Sequence, residues 1–105
     1  MGHVNGWLSD EYYDALNSSL AGVLDIARSL PDNYTVIITA DHGGIDYGHG
    51  GDTPEELTIP IFILDADFTA GAPRTGGSIL DIAPTVADIL GAAPNPIWVG
   101  KSLKD

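Results

Sequence analysis

The sequence predicts an α/β fold that is incomplete as an isolated domain, with two buried strands flanked by helices. Three observations support this fold class: one long amphipathic helix pattern, two short apolar runs rich in β-branched residues, and a second helix pattern after them. A sheet of two strands can neither cover both of its faces nor pair both of its edges. We therefore expect residues 1–105 to form one partial α/β domain that is completed by further chain or by another copy.

The first predicted helix follows Ser9, and the second follows Asp81. Ser9 can cap the first helix, and apolar residues at spacings of three and four indicate a buried stripe that runs to Leu30. The stripe comprises Tyr13, Leu16, Leu20, Val23, Ala27 and Leu30. Asp81 can cap the second helix, which we expect to end at Leu90 before Gly91.

The two predicted strands span residues 34–40 and 59–64, where β-branched and other apolar residues dominate. The segment between them, residues 41–56, is rich in glycine and is typical of a functional loop. Glu55 and Glu56 at its end are interpreted as a solvated charge pair ahead of the second strand. Residues 65–77 are expected to be irregular, and residues 92–105 to form coil or a short edge strand.

The composition excludes several classes of function. Fifteen acidic residues against four basic ones give a formal charge of -11, which repels nucleic-acid backbones and anionic membranes. No apolar stretch approaches the roughly 20 residues that a membrane-spanning helix needs. The chain has no cysteine, so any metal must be held by nitrogen and oxygen atoms. We therefore expect neither a nucleic-acid polymer nor a membrane as partner, and the cellular compartment stays open.

Three histidines and one aspartate are the candidate metal ligands. Asp41 and His42 end the first apolar run, His49 lies on the glycine-rich loop that follows, and His3 stands near the start of the sequence. An Asp-His pair at the end of a buried strand, with a third ligand on the next loop, is how an α/β protein builds a metal site. Each residue also has a structural interpretation: Asp41 could cap a turn, His49 could be an exposed loop residue, and His3 could be disordered.

Five motifs, in order along the chain, resemble the C-terminal half of the alkaline phosphatase superfamily, and within it the type I phosphodiesterase and nucleotide pyrophosphatase branch. The matching runs are Gly2-His3-x-x-Gly6-Trp7-x-Ser9-x-x-Tyr12, Thr35 to Gly44, Gly48-His49-Gly50-Gly51, Glu55-Glu56-x-x-Ile59-Pro60 and Asp81-Ile82-Ala83-Pro84-Thr85-x-Ala87-x-x-Leu90-Gly91. The resemblance implies a partial alkaline-phosphatase-like core, the C-terminal portion of a metal-dependent hydrolase domain.

The resemblance also implies two divalent metal ions, with zinc favoured and manganese as the alternative. His3 and His49 would belong to one ion, and Asp41 and His42 to the other. The family's nucleophile, an upstream threonine or serine, and two further aspartates have no match among the 105 residues, so no catalytic residue is assigned. Thr39 and Thr53 are rejected as nucleophiles, since the first is expected inside a strand and neither matches the family position.

The function that follows is part of a two-metal phosphoric-ester hydrolase, of phosphodiesterase, nucleotide pyrophosphatase, phosphatase or sulfatase type. Its substrate would be a small phosphate or sulfate ester, and we expect the isolated chain to be inactive. An alternative is a non-catalytic module that self-associates and at most binds metal. A third hypothesis, a complete minimal hydrolase, needs metal-bound hydroxide as its nucleophile. In either of the first two cases we expect a homo-oligomer, because apolar faces and strand edges need covering.

Overall fold

A computed structural model describes residues 1–74 and 76–104 of the chain. The chain forms two compact units, Met1–Ile63 and Leu64–Asp105, and each is described by itself. The first unit contains three helices and a two-stranded sheet, and the second unit contains one helix preceded by a 3₁₀ turn. In the part of the chain that the structure describes, no helix combines the length and the apolarity that crossing a membrane requires.

The long helix of the first unit agrees with the sequence prediction. The elements are α1 (Gly2–Asn5), α2 (Asp10–Ser29), β1 (Val36–Thr39), α3 (Pro54–Leu57) and β2 (Ile61–Leu64). Ser9 caps α2 as predicted, because its hydroxyl accepts a hydrogen bond from the Tyr12 N–H at 3.2 Å. Both predicted strands are present but shorter than expected. Neither α1 nor α3 was predicted, and α3 occupies the end of the segment that was expected to be a loop.

The predicted burial of these elements is wrong. No residue of α2 is buried, and Leu16 of the expected apolar stripe is 44% exposed. The strands are not buried on both faces either: β2 alternates between half-buried and exposed residues, and Phe62 is 54% exposed. The reason is that two strands and a few short segments supply too little surface to cover a 20-residue helix. The architecture is that of a small α/β fragment, and the described residues contain no complete alkaline-phosphatase core.

The second unit is organised around α4 (Ile82–Ile89). A 3₁₀ turn at Ile79–Asp81 leads into this helix, and Ser78 caps the turn. The prediction that the Asp81 carboxylate caps the helix is wrong, because it accepts hydrogen bonds from the N–H groups of Ser78 and Lys101 instead. Gly91 follows the helix in the left-handed region, at φ +67°, as expected for a terminating glycine.

The segment after α4 is coil over the described residues 92–104, which contain no edge strand. It is held to the helix by Thr85, the most deeply buried side chain of the unit. The Thr85 hydroxyl donates to the Asp81 carbonyl at 2.6 Å and accepts from the Leu103 N–H at 2.9 Å. Residues 65–77 are irregular as predicted wherever they are described, and Thr75 and Asp105 lie outside the described residues.

Candidate metal centre

The structure brings the three histidines of the first unit together, although up to 46 residues separate them. His3 lies on α1, His42 follows β1, and His49 lies on the loop between β1 and α3. The rings of His42 and His49 stack with their centroids 3.8 Å apart and their planes at 18°. The rings of His3 and His49 lie 4.9 Å apart. One helix and one loop therefore deliver three imidazoles to one place.

Two of these imidazoles are oriented by backbone carbonyl groups. His42 Nδ1 lies 2.6 Å from the Gly43 carbonyl oxygen, and His3 Nδ1 lies 3.2 Å from the Tyr47 carbonyl oxygen. Because a carbonyl oxygen only accepts hydrogen bonds, Nδ1 must carry the proton in both rings. Nε2 of each neutral ring is then left with a free lone pair. This is the tautomer, and the kind of outer hydrogen bond, that metal-ligating histidines use.

Asp41 stands beside His42 with its carboxylate turned outwards. Asp41 Oδ1 accepts from the His42 N–H at 3.0 Å and lies 3.7 Å from His42 Nε2. Two ligand atoms on one tetrahedral zinc ion, each about 2.1 Å from the metal, are roughly 3.4 Å apart. The Asp41 side chain is 87% exposed, so the pair can be reached from solvent.

The four predicted ligands fit a divalent metal by donor type. Imidazole nitrogen and carboxylate oxygen suit zinc and manganese. Within residues 1–74 and 76–104, however, no group of three or more histidine, cysteine, aspartate or glutamate side chains is already arranged to hold one ion. The residues thus form an oriented set of donors rather than a closed coordination shell.

Trp7 fixes the spacing between the segment that carries His3 and the segment that carries His42. A Cβ added to Gly2 would lie 2.6 Å from Trp7 Cε2, and one added to Gly44 would lie 2.0 Å from the same atom. The ring is therefore packed between two glycines, each next to or near a candidate ligand. Trp7 Nε1 is buried and has no hydrogen-bond partner in the described structure. The two glycines show what the Trp7 ring packs against.

An open cavity of about 330 Å³ lies beside this cluster. His3 and His42 line it together with residues of the N-terminal half of α2. Its lining comprises Met1, Gly2, His3, Trp7, Tyr12, Ala15, Leu16, Ser19 and His42. Two of the three imidazoles thus line a depression that also has aromatic and aliphatic residues in its wall.

Glu56 corrects the interpretation of residues 55 and 56 as a solvated pair, because it is only 9% exposed. Its carboxylate accepts hydrogen bonds from the Thr53 hydroxyl at 2.6 Å and from the Gly51 N–H at 2.9 Å. These two hydrogen bonds hold the pKa of Glu56 below its ordinary value, and the bond from the Thr53 hydroxyl has the larger effect. Thr53-x-x-Glu56 with Pro54 at the first helical position is a capping box, a signal in the sequence that could have predicted α3.

Neither rejected threonine is placed as a nucleophile. The Thr53 hydroxyl is bound to the Glu56 carboxylate. Thr39, which was expected inside a buried strand, is instead exposed at the end of β1, and its hydroxyl donates to the Pro60 carbonyl at 2.8 Å.

The chain is similar to several enzymes with the name 2,3-bisphosphoglycerate-independent phosphoglycerate mutase. It is 36% identical to that of Methylobacillus flagellatus over 96 residues, 86% of this chain and 18% of the relative. It is 34% identical to that of Rhodopirellula baltica over 77 residues, 68% of this chain and 14% of the relative. For that of Pyropia yezoensis the identity is 31% over 102 residues, 86% of this chain and 19% of the relative.

The chain therefore spans less than a fifth of the length of these curated relatives. No family model matches it. No solved structure matches it either. The similarity does not support the nucleotide pyrophosphatase branch that the motifs suggested. The homologues are phosphoglycerate mutases of the alkaline phosphatase superfamily, and the chain fits that superfamily.

Proposed function

We propose that this chain supplies part of a divalent-metal centre that transfers the phosphoryl group of a small phosphate ester. The observation that carries the proposal is the convergence of His3, His42 and His49, with the first two rings held in the tautomer that leaves Nε2 free. The similarity to enzymes named for phosphoglycerate supports a phosphate monoester as the substrate class, in place of a phosphodiester or a sulfate ester.

Each ligand has a stated part in the proposal. Asp41 and His42 hold one ion, since their donor atoms already lie 3.7 Å apart, and His3 and His49 contribute to a second. Divalent ions supply charge neutralisation to the phosphoryl oxygens when they are bound. The carbonyl groups of Gly43 and Tyr47 keep two imidazoles in orientation, so that little order must be gained on metal binding. Zinc is the favoured metal of the proposal, and manganese is the alternative.

The chain's own residues explain why a phosphate ester suits the site. Asp41 is the sole carboxylate among the four proposed ligands, and the other three are imidazoles. The cavity beside His3 and His42 is open, so an ester can reach both donor groups. The Trp7 and Tyr12 rings give the same cavity an apolar wall for the carbon part of the ester.

Calorimetric titration with zinc chloride, and separately with manganese chloride, tests the proposal. We expect the 105-residue chain to bind metal, and the double variant Asp41→Ala/His42→Ala to lose most of this binding. The double variant Asp32→Ala/Asn33→Ala is the matched control, because both residues are exposed in the turn before β1. We expect it to bind as the unchanged chain does. Equal metal uptake by all three proteins, with circular dichroism showing the same helix content, would refute the proposed centre.

A further inference from the structure

We infer that Glu56 is a positioning residue of the metal centre, which holds the His49 loop in place through the Gly51 N–H. The inference rests on the proposed function, because it concerns how one of the proposed ligands is presented. Glu56 belongs to α3, an element of four residues, and is the only buried residue of that helix. Burial of a carboxylate costs free energy unless its oxygens are hydrogen-bonded, so the contacts that it makes there need a reason.

The first step is the contact between the carboxylate and the loop. Glu56 Oε1 accepts from the Gly51 N–H at 2.9 Å, and Gly51 lies two residues after His49. A Cβ at Gly51 would lie 2.6 Å from Glu56 Oε2, so glycine is needed for the carboxylate to approach the backbone this closely. The charge-assisted hydrogen bond therefore fixes the backbone that presents the imidazole.

The second step is the anchoring of the carboxylate itself. Glu56 Oε2 accepts from the Thr53 hydroxyl at 2.6 Å and from the Thr53 N–H at 3.4 Å. The Thr53 hydroxyl in turn accepts from the Glu56 N–H, which completes the capping box of α3. One carboxylate oxygen thus belongs to the helix cap, and the other is left for the loop.

The third step is that the same helix also holds the segment after His42. The Gly43 N–H donates to the Glu56 carbonyl at 2.8 Å, and the Gly44 N–H donates to the Glu55 carbonyl at 3.0 Å. The backbone of α3 therefore binds the His42 segment, while the side chain of Glu56 binds the His49 segment. A change to the side chain alone acts on His49 and leaves the bonds to Gly43 and Gly44 in place.

The experiment compares the full chain with Glu56→Ala, Glu56→Gln, Glu55→Ala and Thr53→Ala. Zinc affinity is measured by calorimetry, and the response of each imidazole to zinc is followed by long-range ¹H–¹⁵N correlation spectra. We expect Glu56→Ala to weaken zinc binding by about tenfold, the lower end of the loss seen for outer-shell partners of metal ligands. We also expect the zinc-induced change at the His49 nitrogens to be lost, and that at His42 to remain.

The other variants separate positioning from stability. Glu55→Ala removes an exposed carboxylate from the same helix, and we expect its zinc affinity to stay within about twofold of the unchanged chain. Thr53→Ala removes the hydroxyl that anchors Glu56 Oε2 but keeps the acceptor for Gly51, so we expect a lower midpoint of unfolding and a loss of zinc affinity smaller than that of Glu56→Ala. Glu56→Gln keeps one acceptor oxygen, and we expect it to recover part of the affinity that Glu56→Ala loses.

Two results in Glu56→Ala would overturn the inference: an unchanged zinc affinity, or an equal loss of the zinc response at His42 and His49. If Glu56→Ala does not fold, Glu56→Gln decides, and an affinity equal to that of the unchanged chain refutes the inference. Failure of the unchanged chain to bind either zinc or manganese refutes the proposed function instead. In that case hydrogen exchange of the Gly51 N–H in Glu56→Gln decides: faster exchange supports the positioning of the loop, and unchanged exchange refutes it.

Discussion

Replacement of Gly44 by alanine is expected to destabilise the first unit through a single steric contact. The new Cβ would lie 2.0 Å from Trp7 Cε2 and 2.4 Å from Trp7 Nε1. Ordinary van der Waals contact begins at 3.4 Å, so the ring or the backbone must move by more than 1 Å. Overpacking of this kind costs about 1–3 kcal/mol of the free energy of unfolding. We expect a loss of about 2 kcal/mol, because the ring is also packed against Gly2 and cannot simply swing away.

Gly48→Ala is the matched control for this variant. It makes the same chemical change later in the same loop, at a position where an added Cβ meets nothing within 4 Å. Loss of chain entropy in the unfolded state makes such a replacement neutral or stabilising by up to about 1 kcal/mol. Urea titrations followed by far-ultraviolet circular dichroism give the free energy of unfolding of both variants.

The double variant Trp7→Ala/Gly44→Ala identifies the contact that is responsible. Without the indole the new methyl group has no ring to strike, so we expect the double variant to lose clearly less stability than the sum of the two single variants. Equal stability of Gly44→Ala and Gly48→Ala, within about 0.5 kcal/mol, would refute the packing argument. Strict additivity in the double variant would show that Trp7 is not the partner.

Three further predictions concern acid stability, assembly and turnover. The Thr53 hydroxyl and the Gly51 N–H hold the pKa of Glu56 below its ordinary value of 4.5, so we expect stability to be full above pH 4.5 and to fall as the pH drops towards the folded-state pKa. Urea titrations across this range give the free energy of unfolding as a function of pH. We expect this dependence to be weaker in Glu56→Gln than in the unchanged chain, and unaltered in Glu55→Gln. Since α2 and β2 expose apolar side chains, light scattering at micromolar concentration is expected to show a dimer or larger assembly, and a compact, cooperatively folding monomer would contradict this. No residue of the 105 matches the family's nucleophile, so we expect no turnover of p-nitrophenyl phosphate with zinc or manganese, and hydrolysis on addition of a polypeptide that carries the missing groups. Metal-dependent turnover by the chain alone that is lost in Asp41→Ala would contradict the prediction that the chain is inactive.

Local sequence signals predicted the long helix and both strands, whereas contacts between residues distant in sequence determine how far these elements are buried. The Ser9 cap and the spacing of apolar residues sufficed to place α2, because both act within a few residues of the chain. The same spacing could not show how much of the stripe is covered, since covering depends on segments elsewhere in the chain. Thr53 and Glu56 carry the capping-box signal for α3. The glycines before them favour a loop, and the whole segment was therefore interpreted as one.

The candidate site shows the same division. Asp41 and His42 were identified from their place at the end of a strand, and that strand is present as β1. His3 and His49 lie close together because of α1, the Trp7 ring and the Tyr47 carbonyl. From the sequence, only the resemblance to a family indicated this proximity. The role of Glu56 requires three dimensions, because Gly51 and Thr53 approach one carboxylate from two sides.

The acidity of the chain is compatible with a phosphate ester as substrate once local and overall charge are separated. The formal charge of -11 is spread over the whole chain, and exposed charges farther apart than about 8–10 Å are largely screened at physiological salt. Among the four proposed ligands Asp41 is the one carboxylate, and the Glu56 carboxylate lies against the loop that carries His49. Each divalent ion held there brings two positive charges, so the local potential becomes positive while the overall charge stays negative. A small phosphate ester responds to the local field, whereas a nucleic acid must lie along the acidic surface. The proposed phosphate-ester substrate is therefore compatible with the formal charge of -11.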